Sequence, residues 1–212
     1  MRELITNTLL FLGALNTESE KFHTHIAVEA RWFMASREEE IKLISSLSSD
    51  DLDRFHKGQT VKLPKDFSEK YWIPKLFFLN VSRDHDEERS YNIKSYQQRV
   101  QIHEFIDVHG HFYCTFDLHD FPTDIQELSV SVGSAFYSTD VILEADSCRA
   151  SGINHEAFIG VQEWSLYDHV ETRSKFLKGF LFQNDGEDKL DNPNHEQKRS
   201  ILTILCRAGK CH

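Results

Sequence analysis

Apolar and polar residues alternate with a period of two along several separate stretches, and this pattern leaves few folds open. Ile26, Val28, Ala30 and Trp32 fall on one side of a stretch whose other side carries Ala27, Glu29 and Arg31. Val100, Ile102, Ile106 and Val108 alternate with Gln101, His103 and Asp107, and Leu128, Val130 and Val132 alternate with Ser129 and Ser131. Successive strand side chains point to opposite faces. Each stretch therefore reads as a half-buried antiparallel strand, with one face on a core and one toward solvent. Many such strands with turn signals between them specify an all-β sandwich. The apolar stretch Leu9 to Leu15 follows the polar Thr6-Asn7-Thr8, which is wrong for a signal sequence, and it is expected to be an edge strand of the sandwich.

One region breaks the period. Between Arg37 and His56, Ile41, Ile44, Leu47, Leu52 and Phe55 fit helical spacing, and Ser48 or Ser49 ahead of Asp50-Asp51 fits a helix cap. One or two short helices inserted at residues 37–57 are expected, as a surface excursion. Residues 183–198, rich in Asn, Asp, Gly and Pro, read as the tip of a hairpin. Its arms are the stretch from Phe176 to Phe182 and the strand Ser200 to Arg207. No repeat and no linker interrupts residues 1–212, so a single domain is expected.

The net charge of −10 argues against nucleic acid and against anionic lipid, both of which need clustered Lys and Arg. It favours cations or basic partners. No stretch approaches the roughly 20 apolar residues that span a bilayer. Two acidic runs stand out: Asp84, Asp86, Glu87 and Glu88, and Asp185, Glu187, Asp188 and Asp191. Carboxylates of this density would suit Ca²⁺, although solvated surface is the simpler account. No cofactor is required. Twelve histidines raise the possibility of proton sensing at His103, His109, His111 and His119. His23-x-His25 and His109-x-His111 are chelating pairs on a strand, as in metal-dependent β-barrel enzymes, but after His111 the first carboxylate is Asp117, and none falls at the Glu position such sites need. No nucleophile motif or phosphate-binding loop occurs, so catalysis is not expected. The four cysteines read as free thiols.

The segment from Cys114 to Leu128 says more. Cys114, six residues, Phe121-Pro122, Asp124 and Gln126 resemble the signature loop of the Cys-loop, pentameric ligand-gated ion channels. Leu128 stands where that family has its second cysteine, so the naming disulfide cannot form, as in a bacterial branch of the family. Other stretches resemble the family in order: Leu15-Asn16-Thr17-Glu18 and the strand ending at Trp32, Trp72-Ile73-Pro74 and the loop running to Asn80, and Gly110 in a turn ahead of Cys114. Gly133 to Tyr137, Glu163-Trp164 and Ile201 to Arg207 complete the series.

The resemblance implies an immunoglobulin-like twisted sandwich of about ten strands. It implies a homopentamer at the extracellular or periplasmic face of a membrane, each chain a ligand-sensing ectodomain continued by a transmembrane domain beyond Arg207. A stand-alone soluble relative of the acetylcholine-binding proteins is the alternative; a metal-dependent β-barrel enzyme is a distant third. Phe136, Tyr137, Phe180 and Phe182 would line a small-molecule site, for instance for a cationic amine. Phe121, Pro122, Asp124 and Arg207 would couple that site to a pore, with Asp124 near Arg207. Trp32, Trp72, Pro74 and Trp164 would be structural. Asn80, within the sequon Asn80-Val81-Ser82, is expected to bond the backbone rather than carry glycan.

Overall fold

The computed structural model describes residues 2–116, 125–154, 164–178 and 198–210, without the side chains of residues 2–11. The alternating stretches become the long strands of two sheets. The first seven-stranded sheet is built on β1 (Arg2–Asn16), β2 (Lys21–Phe33), β5 (Val81–Tyr96) and β6 (Arg99–Tyr113), with the short β3 (Val61–Lys62), β8 (Val141–Ala145) and β9 (Gly152–Ile153). Its order is β3-β5-β6-β2-β1-β8, with β9 also on β1. The second sheet holds β4 (Leu76–Phe78), β7 (Ile125–Ser134), β10 (Trp164–Leu166), β11 (Glu171–Lys178) and β12 (Lys198–Lys210). The all-β sandwich expected from the alternation is thus what the chain forms.

Burial follows the period. Along β2 every second residue, from Phe22 to Trp32, is buried, and the intervening ones are half-exposed. Ile26, Val28, Ile102, Ile106, Val108 and Phe112 from the first sheet meet Leu128, Val130, Val132, Leu202 and Ile204 from the second in one core. Asn80 stitches the sheets together. Its Nδ2 donates to the carbonyls of Tyr113 at 2.9 Å and Ser129 at 2.7 Å, and its Oδ1 accepts from Ser131 N at 3.0 Å. An amide engaged on both sides in this way is a backbone surrogate, as expected of it.

Three expectations need correction. The Leu9 to Leu15 stretch is an edge only in part: beyond β2 on one side, Leu9 and Leu10 pair parallel with β9 on the other, while β8 pairs with the preceding Arg2 to Thr6. Gly110 is not in a turn but within β6, paired with Thr24 and His85. A Cβ there would stand 2.7 Å from His85 Cβ, at the irregularity of β5 between Val81 and His85, so the glycine serves a close approach of strands. The helices form as α1 (Arg37–Ser45) and α2 (Ser49–His56), capped by Ser36 and Ser48, but Ile41 does not face the core. It is 61% exposed, and α1 instead buries Leu43 and the charged Glu40. Glu40 takes Arg37 and Arg99 as partners at 2.7 and 3.0 Å, which is how a carboxylate becomes tolerable at 1% exposure. A one-turn α3 (Phe67–Lys70) follows before β4.

Candidate functional site

Three segments meet at one end of the second sheet. Trp72 lies edge-on to the buried Trp32 at 6.4 Å and against Phe136 at 5.5 Å between ring centres. The Pro74 carbonyl accepts from Ser134 Oγ at 2.7 Å, and the same hydroxyl accepts from Phe136 N at 3.2 Å. Lys75 has a φ of 48°, a left-handed conformation uncommon for a side-chain-bearing residue, and its carbonyl accepts from Ala135 N at 3.1 Å. Backbone strain of this kind tends to collect at binding loops. Here it locks the loop after Trp72 onto the loop after β7. The foot of the β11–β12 hairpin closes the third side: Ser138 N donates to Lys198 O at 2.7 Å, and the Arg199 guanidinium lies 5.1 Å from the Tyr137 ring centre. Lys75 Nζ is 6.0 Å from the Phe136 ring centre. Phe136 and Tyr137 are both half-buried. Phe180 and Phe182 lie outside the described residues, as does the hairpin tip from 183 to 197.

The ring faces of this site are therefore partnered by cations of the chain itself. A sequence reading that looks for aromatic faces finds Phe136 and Tyr137 but not Lys75 and Arg199. Lys75 shows in the sequence only as a basic residue after Pro74, and Arg199 only as one of several charges near the hairpin foot.

The opposite end of β12 carries the other set of residues singled out. Arg199 and Arg207 are eight residues apart on one strand, roughly 26 Å at strand rise. Arg207 Nη2 donates to Glu127 Oε1 at 2.8 Å; Phe121, Pro122 and Asp124 lie outside the described residues. Cys114 Sγ donates to the Glu127 carbonyl at 3.2 Å, and Leu128 beside it is buried at 1% exposure. Burial pushes the Cys114 thiol up to about 11 and, with Cys114 beside it, the Cys206 thiol up to about 12. Both are neutral, unreactive thiols at physiological pH. Trp164 is buried at this end, on β10 opposite Lys210. β12 thus physically joins the aromatic end to the Cys114 end.

The acidic run Asp84, Asp86, Glu87 and Glu88 falls on β5, where alternation sends neighbours to opposite faces. Asp84, Asp86 and Glu88 are exposed, and Glu87 turns to Arg89. Among the described residues no three His, Cys, Asp or Glu side chains converge on one point. Arg89 leads to a residue the sequence pattern hid. Glu104 is fully buried on the core face of β6, receiving Arg89 Nη1 and Tyr91 Oη at 3.0 Å each on Oε1, while Oε2 finds no partner among the described residues. Burial outweighs these contacts and holds its carboxyl above the usual range. The histidines divide. His103 is buried beside Glu29, at 2.7 Å, and stacks on Phe105. His23, His25, His109 and His111 gather on the outer face of β2 and β6. His119 lies outside the described residues.

A two-sheet antiparallel sandwich with aromatic-bearing loops gathered at one end, and a Cys-x-x-x-x-x-x-Phe-Pro segment between its strands, defines a ligand-binding β-sandwich. The family described as the neurotransmitter-gated ion-channel ligand binding domain matches residues 8–185, and the chain belongs to that family. No curated protein matched the chain. Among the described residues no helix is long and apolar enough to cross a membrane.

Proposed function

We propose that this chain is the extracellular ligand-sensing domain of a pentameric ligand-gated channel. It binds a small molecule at subunit interfaces and couples binding to the pore through the segment from Phe121 to Asp124. The family is one of ligand-binding domains rather than enzymes. The observation that supports a site is the meeting of Trp72, Phe136 and Tyr137 from two loops at the foot of the long hairpin. Lys75 and Arg199 beside those rings disfavour a bare cationic amine there and favour a ligand that carries an acidic group. Contacts at this range outweigh the attraction of the distant negative surface, which salt screens.

The test is a thermal-shift and tryptophan-fluorescence screen of small carboxylates, amino acids and alkyl amines. It is run on the chain and on Phe136→Ala, with light scattering on the same samples. The reading expects an acidic ligand that stabilises the chain but not the variant, and a mass five times that of the 212-residue chain at high concentration. Equal shifts in both proteins would remove Phe136 from the site. A strict monomer with ligand bound would remove the interface.

A further inference from the structure

The two His-x-His pairs that the ligand-binding reading leaves unused are placed directly across from one another. β2 and β6 run antiparallel with His23 opposite His111 and His25 opposite His109. Residues opposite in an antiparallel pair share a face, with Cβ atoms about 4.5–5.5 Å apart, and so do residues two apart on one strand. All four rings therefore project from one patch. Their centres are 4.7 Å apart for His23 and His109, 5.0 Å for His23 and His111, and 5.7 Å for His25 and His109. Imidazoles held by one tetrahedral metal through nitrogens about 2.0–2.1 Å from it have ring centres roughly 5 Å apart.

Three further features fit a metal. His25 Nε2 lies 2.6 Å from Asp107 Oδ1, the carboxylate–histidine arrangement that orients a ligating ring. Asp86 stands opposite His109 on the other flank of β6, an oxygen donor on the same face. Gly13 makes room for the cluster, since a Cβ there would come 2.9 Å from His23 Nδ1.

We propose that His23, His25, His109 and His111 form a binding site for a divalent transition-metal ion of the Zn²⁺, Ni²⁺ or Cu²⁺ kind. The rings are not yet converged on one point in this structure, so the metal is gathered by rotation of exposed side chains rather than received by a rigid cage. Imidazole donors select these ions over Ca²⁺ and Mg²⁺, which want oxygen. The bound ion clips β2 to β6 three residues before Cys114. It would therefore act on the strand that leads into the signature segment, by a route separate from the aromatic loops.

The experiment titrates the full chain with ZnCl₂ by calorimetry and with CoCl₂ by visible absorption, in a non-chelating buffer. Expected is one saturating equivalent per chain, with the intense d–d bands of a tetrahedral nitrogen-rich centre. His23→Ala and His109→Ala should each weaken it at least tenfold, and Asp107→Asn about tenfold through the lost orientation of His25. Circular dichroism confirms that these outward-facing variants keep the fold, and Phe136→Ala should bind the ion as tightly as the native chain. No saturable binding, unchanged affinity in the histidine variants, or displacement by millimolar Ca²⁺ would each overturn the site.

Discussion

Asn80 offers the sharpest test of how this sandwich is held together. Its side chain makes three hydrogen bonds to main chain: to Tyr113 O at the end of β6, and to Ser129 O and Ser131 N on β7. Its own carbonyl accepts from Tyr113 N at 2.8 Å, so the residue completes a strand-like pairing with one sheet while its amide pairs with the other. Asn80→Ala removes all three side-chain bonds and leaves two carbonyls and one N–H without their partner. At about 1 kcal/mol net for each bond, the expected cost is roughly 3 kcal/mol. For a chain of this size that lowers Tm by about 6–12 °C.

Asn80→Asp separates hydrogen bonding from packing. It keeps the volume and the acceptor toward Ser131 N, but sets a carboxylate against the carbonyls of Tyr113 and Ser129. It should therefore be at least as unstable as the alanine variant. Urea unfolding of the three proteins at neutral pH, followed by fluorescence, gives both differences. An alanine variant within about 1 kcal/mol of the native chain would refute the reasoning, as would an aspartate variant more stable than the alanine one. In a eukaryotic host the same geometry predicts no glycan on Asn80, since its Nδ2 is engaged in the fold; an intact-mass increment removed by a glycosidase would show otherwise.

Two further outcomes follow from other parts of the molecule. Glu104 has its carboxyl raised by burial, so its contribution to stability is full below the unfolded value of 4.5 and is lost as pH rises through the folded one. Glu104→Gln lacks that dependence; from about pH 4 to about pH 8 the variant should gain on the native chain in urea unfolding, and a difference that stays flat or runs the other way would refute it. The β5–β6 hairpin turns through Gln97 and Gln98, with φ of 50° and 61°, where Asn-Gly is the favoured pair. Gln97→Asn with Gln98→Gly should stabilise by roughly 1–2 kcal/mol, seen as a Tm higher by a few degrees, and an unchanged Tm would mean that the turn is not strained.

The strands were legible because burial on one face leaves a period-two trace. β2 carries that trace without interruption, and the structure reproduces it residue by residue. The pattern fails where a polar residue is buried for a reason outside its own strand. Glu104 sits between Ile102 and Ile106 on the core face, and only the approach of Arg89 and Tyr91 from β5 makes the position tolerable. Ile41 misled in the opposite sense. Its helical spacing is sound, but Arg99 reaches α1 from β6 and fixes the face with Glu40 inward. Leu9 to Leu15 was legible as a strand, but not the pairing of its first two residues with β9, because parallel partners about 140 residues away in sequence leave no local mark.

The candidate sites divide along the same physical line. Phe136 and Tyr137 could be found because an aromatic is visible in a sequence; the cations beside them could not, because Lys75 and Arg199 reach those rings only through the contact of two loops with a hairpin foot. The histidines show the reverse case. Each His-x-His pair alone is weak evidence of anything, and no carboxylate follows His111 before Asp117. The missing information was the register. Placing His23 against His111 and His25 against His109 turns two unremarkable pairs into four donors on one face, and brings in Asp86 from β5 as a carboxylate that neither pair has nearby in sequence. In a sandwich, where most contacts join distant segments, chemistry of this kind is written in strand pairing rather than in local spacing. The signature segment after Cys114 could be read directly only because its residues are contiguous.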